Sequence, residues 1–162
     1  MYSRLYTHVL NHHGTIDHCS AFHHIYTDTS LFGLVAVAHP QHPTTSLLPL
    51  LAYQLSLLLY HPIPQTELTR AKNQLMSSLV MALESRSVEV EDLGRQVLVH
   101  GRKVGVDEMC DKIRKVSGDD IRRVSARVFG HGMNGDPTVL VMGKKDVGEW
   151  QGVLRKYGLG RL

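Results

Sequence analysis

The chain has 162 residues, enough for a domain with a true core, and its 43% apolar and 20% charged content excludes a disordered chain. Eighteen Lys and Arg against 15 Asp and Glu leave a net charge of +3 with His neutral, too small and too scattered to argue for nucleic-acid binding. The two cysteines, Cys19 and Cys110, stand far apart with no CxxC, which fits incidental thiols of a reducing compartment, and no apolar run reaches the ~18 residues of a membrane span.

The N-terminal segment carries Tyr2, Leu5, Tyr6, Val9 and Leu10 at helical spacing, which predicts a helix stopped at Gly14. With Arg4 and no acid before Asp17 it has a transit-peptide flavour. Its shortness and its direct run into a strand pattern favour a core-facing helix. TIDHCSAFHHIY and SLFGLVAVAH alternate as two strands joined by a turn at TDTS. A loop with Pro40 and Pro43 follows, then a Leu-rich core helix over 45–60 that contains Pro49 and Gln54. The HPIPQ break introduces a helix over 65–85, with Leu68, Ala71, Leu75, Leu79 and Ala82 as its apolar stripe.

A further helix is expected from Ser87, as N-cap, to Gly101. VDEMCDKIRKV and SGDDIRRVSARVFG make two short helices that open with acids and end with bases, as the helix dipole prefers. GHGMNG reads as a turn, PTVLVMG as a final strand, and DVGEWQGVLRKYG as a terminal helix. The order predicts an α+β fold, a small mostly antiparallel sheet with helices on one face. So few strands for so many helices leave a sheet edge open, so the chain is read as one domain, 1–162, that belongs to a larger whole.

Eleven histidines raise a zinc hypothesis, with His12, His13, His18, Cys19, His23 and His24 close together and His8 and His12 at i, i+4 spacing. The inverted signature H-x-x-E-H needs an EH dipeptide, and none occurs. Strand alternation also puts His18 and His24 on one face and His23 on the other. No metal ligands are assigned. There is no G-x-S-x-G, no cysteine in a catalytic pattern and no phosphate-binding Gly loop, so no catalytic residue is assigned either.

The acids Glu84, Glu89, Glu91 and Asp92 stand out in a basic chain. The bland reading places Glu89, Glu91 and Asp92 in the first turn of the helix capped by Ser87, each gaining ~0.3–1 kcal/mol from the dipole, with Glu91 paired to Arg95 at i, i+4. The functional reading projects some of these carboxylates toward arginines of a bound peptide. Glu84 is expected at the solvated end of the preceding helix.

MYSRLYTHVLN, AFHHIYTDTSLFGL, IRRVSARVF and above all ELTRAKNQLMSSLVMALESRSVEVEDLGRQVLVHGRKV make the chain resemble the pitrilysin-type (M16) metallopeptidases. The resemblance points to the alpha-subunit group of the mitochondrial processing peptidases. It runs over most of the sequence and is weakest over 43–64. It implies a non-catalytic, substrate-recognising alpha subunit of an alpha/beta heterodimer in the mitochondrial matrix, which removes presequences from imported precursors. No cofactor is implied in this chain; zinc belongs to the beta-subunit partner. It further implies a glycine-rich loop just ahead of the segment matching MYSRLY, so that Met1 corresponds to an internal, truncated position of the family pattern. Glu67, Glu91 and Asp92 are implied to bind presequence arginines. The core subunits of the respiratory cytochrome bc1 complex share this fold and provide a structural alternative.

Overall fold

The structure, a computed structural model, describes residues 3–40, 44–130, 137–143 and 148–160, with the side chain of Thr44 excepted. The chain separates into two compact units. One holds residues 1–24, 31–62 and 119–162; the other holds 25–30 and 63–118.

In the first unit the N-terminal helix is shorter and wider than its spacing predicts, a π-helical turn over Tyr6–Leu10. The carbonyl of Val9 accepts from both His12 and His13, and Ile16 N–H donates to His13. These bonds close the helix and turn the chain into a strand before Gly14 can act as a stop. The strands β1 (Ile16–Ile25) and β2 (Ser30–Ala38) form a two-stranded antiparallel sheet. On β2, Gly33 leaves the space occupied by the Phe22 ring; a Cβ there would run into it.

Helix α1 (Thr44–Tyr60) is apolar nearly all round because it is covered on two sides. Leu47, Leu50 and Leu51 pack toward the sheet, on the cluster of Val9, Ile16 and Cys19. Leu48, Leu55 and Leu59 pack on the other, around Ala52, Leu154 and Leu159, where helix α6 (Trp150–Lys156) lies against α1. Helices on one face of a small sheet are thus observed, while Leu31, Val35 and Val37 stay about half exposed along β2.

The strand expected at PTVLVMG is not formed. Residues 137–143 have no ladder partner among the described residues, and Leu140 and Met142 are 84% and 91% exposed. Only Val139 is anchored, on the α6 cluster. Strand propensity describes a side chain that fits a pleated surface; a strand also needs a neighbouring backbone to bond. The turn expected at GHGMNG lies, from residue 131 on, outside the described residues.

The second unit is helical: α2 (Gln65–Ala82), α3 (Arg86–His100) and α4 (Val106–Lys115), with α2 packed on α4. Helix α5 (Gly118–Phe129) leads back into the first unit. Helix α2 ends three residues before the expected Ser85, in tight turns from Glu84 to Met81 and from Ser85 to Ala82. The protected face of α2 is also rotated from the expected stripe. Leu68 is buried and Lys72, Met76, Leu79 and Leu83 are half-buried, while Ala71, Leu75 and Ala82 are exposed. Lys72 explains the rotation, because its ammonium donates to the Arg114 carbonyl (2.9 Å) in the last turn of α4 and its stem lies along the contact.

Two glycines of α3 make opposite demands. Gly101, just past the helix, has φ 69° and nothing near its missing Cβ, whereas Gly94 sits mid-helix with equally open space. Gly101→Ala should therefore destabilise the unit by ~1–2 kcal/mol through left-handed strain alone. Gly94→Ala should stabilise it by ~0.5–1 kcal/mol through helix propensity. Urea unfolding of the two variants beside the parent chain reads both signs.

Candidate functional site

The N-cap of α3 is Ser85, in extended conformation, rather than Ser87; the two hydroxyls meet at 2.9 Å and neither caps a backbone N–H. The shift by two residues leaves Glu89 as the acid of the first turn. Glu91 and Asp92 therefore lie beyond the reach of the helix N-terminus, and the dipole contribution expected for them falls away.

Their partners are side chains one turn on. Glu91, 71% exposed, receives Arg95 at 2.6 Å in the expected i, i+4 pair. Asp92, half-buried, receives the amide nitrogen of Gln96 at 2.6 Å. Glu67 stands apart from both, half-buried in the first turn of α2, where the dipole does favour a carboxylate. Roughly 22 Å of helical rise separates it from the end of α2 at Ala82, whereas Glu91 is roughly 8 Å into α3. Glu91 and Asp92 are thus neighbours on α3, while Glu67 belongs to the first turn of another helix, α2. Glu84 is exposed at the α2–α3 turn, as expected.

Four further side chains take part: Gln96, Lys103, Arg102 and Lys112. Gln96, 7% exposed, accepts from the backbone N–H of Val104 at 2.6 Å. Lys103 reaches back to Glu89 at 3.0 Å. Arg102 holds Glu108 with two bonds of 2.9 and 2.7 Å, and Lys112 adds a third cationic contact at 2.8 Å. The Asp92–Gln96 pair is visible in the sequence as an i, i+4 carboxylate–amide spacing. The Glu108–Lys112 pair is likewise an i, i+4 spacing, within α4; the contacts of Arg102, Lys103 and Val104 depend on how residues 101–105 turn between α3 and α4, which no periodicity encodes.

Every described acid of α3 and Glu108 of α4 thus has a polar partner within the unit. The chemistry available is exchange of partners: an incoming guanidinium can replace Arg95 at Glu91, since both side chains are largely in water. Among the described residues no three His, Cys, Asp or Glu side chains gather as metal ligands. His18 instead meets Ser20 at 2.9 Å, and burial pushes the Cys19 thiol above its ordinary pKa, away from thiolate chemistry.

Known proteins bear on this arrangement. A mitochondrial-processing peptidase subunit alpha of Neurospora crassa is 49% identical over 151 residues, 87% of this chain and 26% of the relative. Corresponding subunits of Schizosaccharomyces pombe (a probable one) and Rattus norvegicus are each 40% identical, over 99% and 88% of this chain. Residues 1–75 match the Peptidase M16 inactive domain. This chain belongs to the M16 peptidase family. It spans only about a quarter to a third of these relatives, 26% to 33%. The M16 match includes Glu67 and ends within α2, before Glu91 and Asp92. The fold of this chain is similar to that of a chain of Complex III2 from Candida albicans, Inz-5 bound, with a TM-score of 0.69 over 77% of this chain and 30% of that one, at 18% identity. Among the described residues no single helix is long and apolar enough to cross a membrane.

Glu108 supplies a pH signature for this M16 chain. The hydrogen bonds from Arg102 and then Lys112 hold its carboxyl at about 2, below the ordinary 4.5. A depressed folded-state pKa contributes stability above the unfolded value, lost as pH falls through the folded one. The Tm difference between the parent chain and Glu108→Gln should therefore be constant above pH 4.5 and shrink toward pH 2. Because Glu108 is well solvated, the whole effect should be small.

Proposed function

We propose that this M16 chain serves as part of the non-catalytic, substrate-recognising alpha subunit of a mitochondrial processing peptidase. It would hold presequences in the mitochondrial matrix for a zinc-bearing beta partner. The observation that carries this reading is the 49% identity with the Neurospora crassa alpha subunit over 87% of the chain. The structural alternative, a core subunit of a respiratory complex, has support only from the fold, at 18% identity.

The chemistry of the α2 and α3 carboxylates is compatible with that role. Presequences are Arg-rich amphipathic helices, and carboxylates at two separate points would meet arginines at separate points along one. Glu67 and Glu91 are the residues we assign to direct contact. The Asp92 carboxylate is engaged by Gln96, so its contribution to this site runs through that amide. Zinc and the cleavage step belong, in this reading, to the partner subunit.

The test is fluorescence anisotropy of the purified chain with two labelled presequence peptides, one with arginines far from its cleavage point and one without. Glu67→Gln and Glu91→Gln should each weaken the arginine peptide about 2–5-fold, the range of solvated ion pairs. The loss should shrink at high salt. An equal loss for the arginine-free peptide, or zinc-dependent cleavage of either peptide by this chain alone, overturns the assignment.

A further inference from the structure

We propose that Asp92 is a positioning residue: through Gln96 it fixes the α3–α4 connection, and with it which carboxylates of this surface the chain's own cations occupy. The proposal rests on the presequence-binding reading only for its functional consequence.

The geometry is a relay of three groups. A carboxylate can only accept, so Asp92 Oδ2, at 2.6 Å, requires the NH2 end of the Gln96 amide. That choice points Gln96 Oε1 at the Val104 N–H, 2.6 Å away in a buried bond. The same NH2 group lies 3.9 Å from Met109 Sδ on α4. One amide, 7% exposed, therefore joins α3, the connection and α4, and Asp92 decides which way round it sits. With the amide reversed, two donors would face each other at Val104.

The two cations of the connection immediately precede Val104. Lys103, immediately before it, pairs with Glu89, and Arg102 pairs with Glu108. Pinning the Val104 backbone sets where those two side chains begin. Asp92 thereby keeps Glu89 and Glu108 beside the cations of the connection, while the partner of Glu91, Arg95, lies on its own helix. Nothing in this chain of contacts requires Asp92 to touch a ligand.

The discriminating variants are Asp92→Asn, whose amide oxygen can accept the same Gln96 bond, and Asp92→Ala, which cannot. Hydrogen exchange at the Val104 amide, followed by NMR on the full chain, is the direct readout. Protection should stay within about twofold of the parent in Asp92→Asn and fall at least tenfold in Asp92→Ala and in Gln96→Leu. Should Gln96→Leu fail to fold, the two Asp92 variants decide alone. Binding of the arginine peptide should be nearly unchanged in Asp92→Asn and weakened in Asp92→Ala. A direct ligand role predicts the reverse pattern: Asp92→Asn as weak as Asp92→Ala, with Val104 protection unaltered in both. That result overturns the proposal. If the parent chain binds no arginine peptide, the presequence reading fails, and the exchange data still decide the relay: unaltered protection in Asp92→Ala refutes it, and loss there with retention in Asp92→Asn supports it.

Discussion

A backbone N–H that is taken out of water must find an acceptor, and at Val104 that requirement organises the unit of α2, α3 and α4. The acceptor is not another backbone carbonyl but a glutamine side chain, and a glutamine amide has two orientations. The choice between them is made by Asp92. The path of the α3–α4 connection therefore depends on a carboxylate whose sequence position suggests only a charged helix surface. Ion pairs around it, from Lys103 to Glu89 and from Arg102 and Lys112 to Glu108, are solvated and individually weak. They follow the backbone position rather than determine it.

The first unit is governed by a different constraint. Helix α1 has no polar face to spare, and the structure covers it on one side with the sheet and the N-terminal π turn, and on the other with α6. A helix of that composition is stable only when surrounded. Both clusters of the unit consequently meet on one helix, and Val9, fully buried, marks the inner wall of the first.

Membership of the M16 family gives these features a setting. The match to the inactive domain ends within α2, so the carboxylates of α3 lie in a region connected to the family through its alpha-subunit relatives. The surface assembled there is a set of exchangeable ion pairs on a scaffold held by a buried amide. That division suits recognition of cations in water: the outer pairs can open at little cost, while the relay beneath preserves their placement.

The order of residues is enough for the α+β class, the hairpin, the helices α1 to α5 to within a few residues, the Gly101 stop and the Glu91–Arg95 pair. Each of these is local: alternation, helical spacing, a left-handed glycine, or two side chains one turn apart. It also carried the family resemblance, through the long run from Glu67 to Val104. The rest depends on packing between segments distant in the chain. The final strand does not form, because strand propensity at 137–143 cannot supply a neighbouring backbone. The buried face of α2 turned by about one position, because docking on α4 drew Lys72 inward to the Arg114 carbonyl. Asp92 changed from a surface charge to the anchor of a relay, because Val104 is eight residues beyond Gln96 and meets it only when the chain has turned.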